Sequence, residues 1–215
     1  MNQVTTREVK EKDLPAIKEM VINTWSFYTE IFEDETERNI VVTQFLNFVL
    51  HDSSFGRVAV ADNKVVGVML GSANGEVPKF RMLQESPLGA FFMLGFAEEA
   101  RKNFYDNYLS KYLAVLEQVL GGKEEAYDGS ALFFAVSEEV RGMGVGKKLW
   151  NELKTYFRET NTKSIYLFTD TNCNFGFYDY NGFERVGEQE MHYMIEKDGK
   201  SEERELTILV YDYKL

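Results

Sequence analysis

Cysteine is nearly missing from this 215-residue chain: Cys173 is alone. No disulfide can close within it, which fits a reducing compartment and leads us to expect a cytoplasmic protein. Prolines number only three and no stretch is of low complexity, so nothing reads as a linker or a repeat. Apolar runs never reach the roughly 18–20 residues that span a bilayer, and the opening MNQVTTREVKEKDLP has no apolar signal core. Basic residues are outnumbered, 24 against 35 acidic, for a formal charge of −11. That sign repels a phosphate backbone, so nucleic acid is not an expected partner, and a cationic one is favoured. Histidine occurs twice, His51 after an apolar helix and His192 in a strand pattern. Neither is linked to Cys173 by a motif, so a Cys–His nucleophile is unsupported. No cluster has metal-ligand spacing, so no metal is expected.

Apolar residues are plentiful, at 44%, with 14% aromatic, enough for a sizeable core. QVTTREV reads as a first strand. Asp13 and Pro15 mark the start of a helix carrying Leu14, Ile17, Val21 and Trp25 at helical spacing. A second helix is expected over ETERNIVVTQFLNFVLH, burying Ile40, Phe45 and Phe48. RVAVADNKVVGVMLGSANG reads as a hairpin turning at Asp62-Asn63. Residues 86–123 form a helical insertion in which Tyr105, Leu109, Tyr112, Leu116 and Val119 share a face. It covers one sheet face or, in a sharper reading, acts as a lid or a homodimer contact. SALFFAV and SIYLFTD are continuous apolar runs, as in strands buried on both faces, with an amphipathic helix between them. This βαβ unit should cross over right-handedly. The tail is a long hairpin turned at Asp198-Gly199. One domain, 1–215, of α/β (α+β) class is expected.

The chemistry is expected at VRGMGVGKKLW, residues 140–150. The loop lacks the terminal Ser or Thr of a Walker A sequence, and it lacks the third glycine of a dinucleotide fingerprint. An R-G-x-G-x-G loop between a buried strand and a helix is still suited to a phosphate. The first helical turn has free N–H groups and partial positive charge. Gly142, Gly144 and Gly146 keep side chains away from the backbone. Arg141, Lys147 and Lys148 add charge, although Lys148 reads better as an ordinary solvated residue.

LFFAVSEEVRGMGVGKKLWNEL resembles the acyl-CoA motif of the GNAT family of N-acetyltransferases, with Arg141, Gly144 and Gly146 at its key positions. IYLFTDTNCNFGFYDYNGFERV resembles the family's second motif, ending in Tyr178, Gly182 and Phe183. The match spans roughly 130–186. The proline that many members carry before the arginine is absent, Ser137–Val140 standing there. The asparagine usually found seven residues before the tyrosine is Thr171 here, with Asn172 and Asn174 close by. The resemblance implies a mixed, mostly antiparallel sheet flanked by helices, with a splayed parallel pair at the acyl-CoA site. It implies acetyl transfer from acetyl-CoA, as co-substrate, to a primary amine of a small molecule or peptide, with no metal.

Residue roles follow from the resemblance. Val136, Arg141, Gly142, Met143, Gly144, Val145, Gly146, Lys147 and Asn174 would hold acetyl-CoA, the Val136 N–H polarising the acyl carbonyl. Tyr178 would be the general acid for the leaving thiolate, and Glu138 a candidate base. Tyr28, Glu30 and Glu33, alternating aromatic and acidic, would receive a cationic acceptor. The alternative is a non-catalytic acyl-CoA-binding sensor or interaction module, which the presence of Tyr178 argues against.

Overall fold

A computed structural model describes residues 4–85, 104–197 and 200–215. Seven strands form one sheet in the order β1-β2-β3-β4-β5-β7-β6. They are β1 (Thr5–Glu8), β2 (Phe55–Ala61), β3 (Lys64–Ala73), β4 (Gly129–Val136), β5 (Ser164–Asp170), β6 (Glu184–Lys197) and β7 (Lys200–Lys214). Every neighbouring pair is antiparallel except β4 and β5. These two run parallel and are in register only at Gly129–Ile165 and Ser130–Tyr166. Beyond that point the strands part, and the sheet opens towards the Val136 and Asp170 ends.

Helices cover both faces. α1 (Leu14–Thr24), α2 (Phe27–Ile31), α3 (Glu35–Asp52) and α4 (Ser110–Leu120) pack with Val58, Val68, Leu70, Phe133 and Ile208 on one face. On the other, α5 (Val145–Glu159) buries Val145, Leu149, Leu153 and Phe157, the residues its periodicity singled out, with α6 (Gly176–Tyr180) beside it.

The Asp62-Asn63 turn is as expected, both residues having positive φ, the geometry of a tight hairpin turn. Four expectations need correcting. The first helical run breaks at Trp25-Ser26 into α1 and α2. Asp13 does not cap α1 with its side chain. Its carboxylate instead accepts both Arg7 guanidinium nitrogens, at 2.6 and 2.7 Å, and the Lys10 N–H. Phe48 is 69% exposed, the inward stripe of α3 being Val42, Leu46, Val49 and Leu50. Tyr105 also faces out, while Phe104 and Tyr108 are buried. A π-helical turn over Tyr105–Leu109 precedes α4 and shifts the stripe that a regular helix would present. The first part of the insertion, 86–103, and the Asp198-Gly199 turn lie outside the described residues.

Among the described residues, no helix is long and apolar enough to cross a membrane.

Candidate active site

The opening between β4 and β5 organises the site. Val136 lies opposite Gly67 of β3, and the Ser137 N–H donates to the Val66 carbonyl. In an antiparallel ladder this makes Val136–Gly67 a non-hydrogen-bonded pair, so the Val136 N–H points away from β3. It faces the β5 side, where the parallel ladder has already ended. A free, fixed donor therefore stands at the mouth of the opening, as required to polarise a carbonyl.

The chain then passes through a short 3-10 turn, Glu138–Val140, to the glycine loop. Gly142 and Gly144 have φ of +78° and +77°. A side chain at either would be strained, and a Cβ there would meet nothing within 4 Å. Gly144 caps α5 without a side-chain bond, so the first-turn N–H groups of Val145, Gly146 and Lys147 stay free for an anion. Gly146 has a different task from the one its motif position suggested. A Cβ there would lie 3.0 Å from Phe134 and 3.3 Å from Phe177, so this glycine lets α5 approach β4 and α6. Phe134 and Phe177 are themselves in contact, at 5.0 Å between ring centroids, and so link the loop to the turn carrying Tyr178.

Val145 is buried and can offer only its backbone, whereas Met143 and Lys147 are exposed. Lys148 donates to the Val4 carbonyl at 2.7 Å and is occupied on the β1 side. Arg141 pairs with Glu138 at 2.8 Å. Glu138 is 82% exposed in that pair. Asn174 is exposed in the turn before α6, its carbonyl accepting the Phe177 N–H.

Tyr178 is half-buried, its ring 5.6 Å from Phe177, 5.3 Å from Phe183 and 5.4 Å from Tyr211. No described residue hydrogen-bonds its hydroxyl. Burial raises its pKa, with smaller contributions from Cys173, Asp170 and Tyr211, so the phenol is neutral and available as a proton donor. The turn that carries it is anchored through Tyr211, whose hydroxyl donates to Asp179 at 2.8 Å and accepts from Arg185 at 2.9 Å.

On the opposite face, Tyr28 is buried beside Phe27, at 4.3 Å, and Phe104, at 6.4 Å. Glu30 accepts from Ser26 and lies 3.8 Å from Arg204, on the rim next to Tyr193. Glu33 is exposed on the connection to α3, apart from this group. Three residues that sequence reasoning passed over belong here: Tyr108, Tyr193 and Asp170. Tyr108 packs 5.0 Å from Tyr193 and 4.3 Å from Phe27. Asp170, at the end of β5, is 2% exposed and accepts the Trp25 indole N–H at 2.9 Å. The final D of SIYLFTD, after six residues of buried-strand pattern, was the one available signal for it.

The surroundings of Cys173 disfavour its thiolate form. Burial, reinforced by the neighbouring Asp170 carboxylate, pushes its thiol up to about 12, far from the thiolate form. Sheet pairing also creates what linear spacing did not show: Glu190, His192 and Glu205 meet on the exposed surface of the β6–β7 hairpin, with ligand-type atoms within 4.8 Å of one another.

The model of the acetyltransferase (GNAT) family matches residues 111–183, the stretch from α4 through the glycine loop to Phe183. Over this stretch the chain is similar to the GNAT family. The solved structure of Ard1 from Thermoplasma volcanium superposes with a TM-score of 0.55 at 19% identity, covering 99% of this chain and 97% of that one. Polyamine N-acetyltransferase from Drosophila melanogaster, described as forming N-acetylagmatine, gives 0.57 at 10% identity, covering 99% and 100%. PaiA N-acetyltransferase from Thermoplasma acidophilum, solved with coenzyme A, gives 0.52 at 12% identity over the full length of both chains. At these identities the likeness is one of fold. No curated protein sequence matches the chain.

Proposed function

We propose that this chain transfers an acetyl group from acetyl-CoA to the primary amine of a small cationic molecule or a peptide, by direct attack, with Tyr178 as general acid. The observation that carries this reading is the pair of free donors flanking the β4–β5 opening. The Val136 N–H lies on one side, aimed where a carbonyl oxygen gains charge. The Tyr178 phenol, neutral and bonded to no described residue, belongs to the turn that follows β5.

In this reading the free N–H groups of Val145, Gly146 and Lys147 hold the pyrophosphate, and Gly142 and Gly144 leave room for it. The amine nitrogen forms its bond to the acyl carbon, the carbon–sulfur bond breaks, and Tyr178 gives its proton to the departing sulfur. The acceptor enters from the face of α2 and the π turn, where Tyr28 lies and Glu30 marks the rim. The net charge of −11 supports a cationic acceptor. So does the fold shared with proteins described as polyamine and agmatine acetyltransferases.

The test is a panel of amines incubated with acetyl-CoA, with thiol release and product mass as readouts. The panel holds a diamine, agmatine, spermidine, an alkylamine, an N-terminal peptide and an aromatic amine. Acetylated product with at least one cationic amine is expected. Acetyl-CoA binding without turnover on any amine would leave a non-catalytic acyl-CoA module instead.

A further inference from the structure

Two aspartates in this protein are equally buried, and they have opposite surroundings. Asp13 and Asp170 are each 2% exposed. Asp13 has a cation, held by two bonds from Arg7. Asp170 has none: among the described residues no Lys, Arg or His pairs with it. It accepts only neutral donors, the Trp25 indole at 2.9 Å and the Asn172 backbone N–H at 2.8 Å, with the Cys173 thiol also close. A buried carboxylate without a counter-ion is costly, and proteins normally supply one or exclude the group. Burial raises the Asp170 pKa and outweighs those three donors. For Asp13 the Arg7 and Lys10 bonds outweigh burial and lower it.

What surrounds Asp170 indicates what is missing. Four tyrosines from four elements, Tyr108 of the π turn, Tyr112 of α4, Tyr178 of α6 and Tyr193 of β6, feel its charge, and Tyr108 stacks on Tyr112 at 5.9 Å and meets Tyr193 at 5.0 Å, with Tyr28 joined to them through Phe27. The Asp170 charge adds to the burial that raises the pKa of Tyr108, Tyr112, Tyr178 and Tyr193, and Tyr28 in turn acts on Tyr108 and Tyr112. No described residue hydrogen-bonds any of these five hydroxyls. Aromatic faces, free phenol oxygens and one unpaired carboxylate together make a receptor for an ammonium group. Asp170 stands at the end of β5 where the strand has left β4, with Tyr28, Tyr108, Tyr112 and Tyr193 in the core of one face and Tyr178 in that of the other.

We propose that Asp170 is the anchor of the acceptor's ammonium group, its counter-charge arriving with the substrate rather than from the chain. This rests on the amine-acetylation reading and names the residue through which the acceptor is selected. The bound ammonium passes one proton to Asp170, leaving a neutral amine. That amine bonds to the acyl carbon as the carbon–sulfur bond breaks, and Tyr178 protonates the sulfur. The second proton of the nitrogen returns to the Tyr178 phenolate, and Asp170 releases its proton to solvent. Substrate ammonium and thioester thus become amide, thiol and one proton.

Asp170→Asn keeps the shape and an oxygen for Trp25 while removing the charge. Expected is a loss of at least 100-fold in kcat/KM for a diamine or an alkylamine, with the dissociation constant for acetyl-CoA unchanged within twofold. The melting temperature should change little, loss of the unpaired buried charge offsetting the one N–H donor, of Trp25 or Asn172, that loses its acceptor. An aromatic amine, already neutral at pH 7, should lose less than tenfold. Equal activity of the variant and the original protein on the diamine overturns the proposal. So does an equal loss on both acceptors, and so does a fall in melting temperature that accounts for the loss.

Calorimetric titration of 1,4-diaminobutane into the protein saturated with coenzyme A separates this inference from the transfer reading. Asp170-dependent binding without turnover retains the anchor and rejects the reaction. Diamine binding that is equally strong in Asp170→Asn, or missing in both proteins, rejects the anchor.

Discussion

Tyr178→Phe removes one oxygen and leaves the ring among Phe177, Phe183 and Tyr211. Turnover should fall by roughly 10²–10⁴, the usual contribution of a positioned acid. Acetyl-CoA affinity, read by calorimetry, should stay the same. Retained turnover would make Tyr178 a packing residue. The upward shift of its pKa has a sign consequence: the phenol stays protonated through the working range. No alkaline fall caused by this residue is expected, and activity should rise from about pH 6 towards about pH 8–9 as the bound amine gives up its proton more readily.

Asp13 makes a separate statement about stability. Its folded pKa is lowered, so the stabilisation from Arg7 is full above the ordinary aspartate value of 3.8 and is lost as pH falls through the folded pKa. Asp13→Asn should cost about 1–3 kcal/mol in urea unfolding at pH 7, as expected for a buried charged hydrogen bond with a partly exposed partner. That cost should vanish in strong acid. Asp170 runs the other way. Its raised pKa means that stability declines as pH rises from 3.8 through the folded value.

Among the elements, the glycine loop and α5 were the most legible. A buried strand, a three-glycine loop and the stripe Val145, Leu149, Leu153, Phe157 each obey a local rule, and they appear where those rules put them. Gly144→Asp tests the loop. A residue at φ +77° is strained by roughly 1–2 kcal/mol, and its carboxylate would face the pyrophosphate. Acetyl-CoA binding should disappear, and unchanged affinity would move the phosphate site elsewhere.

Legibility ended where long-range pairing decides. The break between α1 and α2 coincides with Trp25, whose indole reaches Asp170, 145 residues away. The π turn that buries Tyr108 in place of Tyr105 has no local pattern of its own. Glu138 read as a base from its position beyond β4. Only the side-chain geometry reveals its bond to Arg141. Tyr28 was found by its aromatic–acidic neighbourhood, yet Glu33 from the same stretch points to solvent. Backbone patterns set by near neighbours were legible, and side-chain pairings, whether three residues apart as for Glu138 or across the sheet as for Trp25, were not.

For the whole molecule, the charge of −11 is a field as well as a sum. It should draw cationic acceptors in. The KM for spermidine should rise several-fold between about 20 and 200 mM salt as screening shortens its reach. An uncharged aromatic amine should show no such dependence. A salt-independent KM for spermidine would confine the electrostatics to the site itself.

The sheet also keeps two hydrophobic cores apart, with α1–α4 on one face and α5 and α6 on the other. The glycine loop belongs to the second face, whereas most of the tyrosine cluster belongs to the first. The molecule is in this respect modular across its thickness rather than along its chain. Substitutions that remodel Tyr28, Tyr108 or Tyr193 repack a core in which α5 takes no part. In the proposed reaction, an engineer or natural drift would therefore change which amine is accepted while donor recognition is inherited intact.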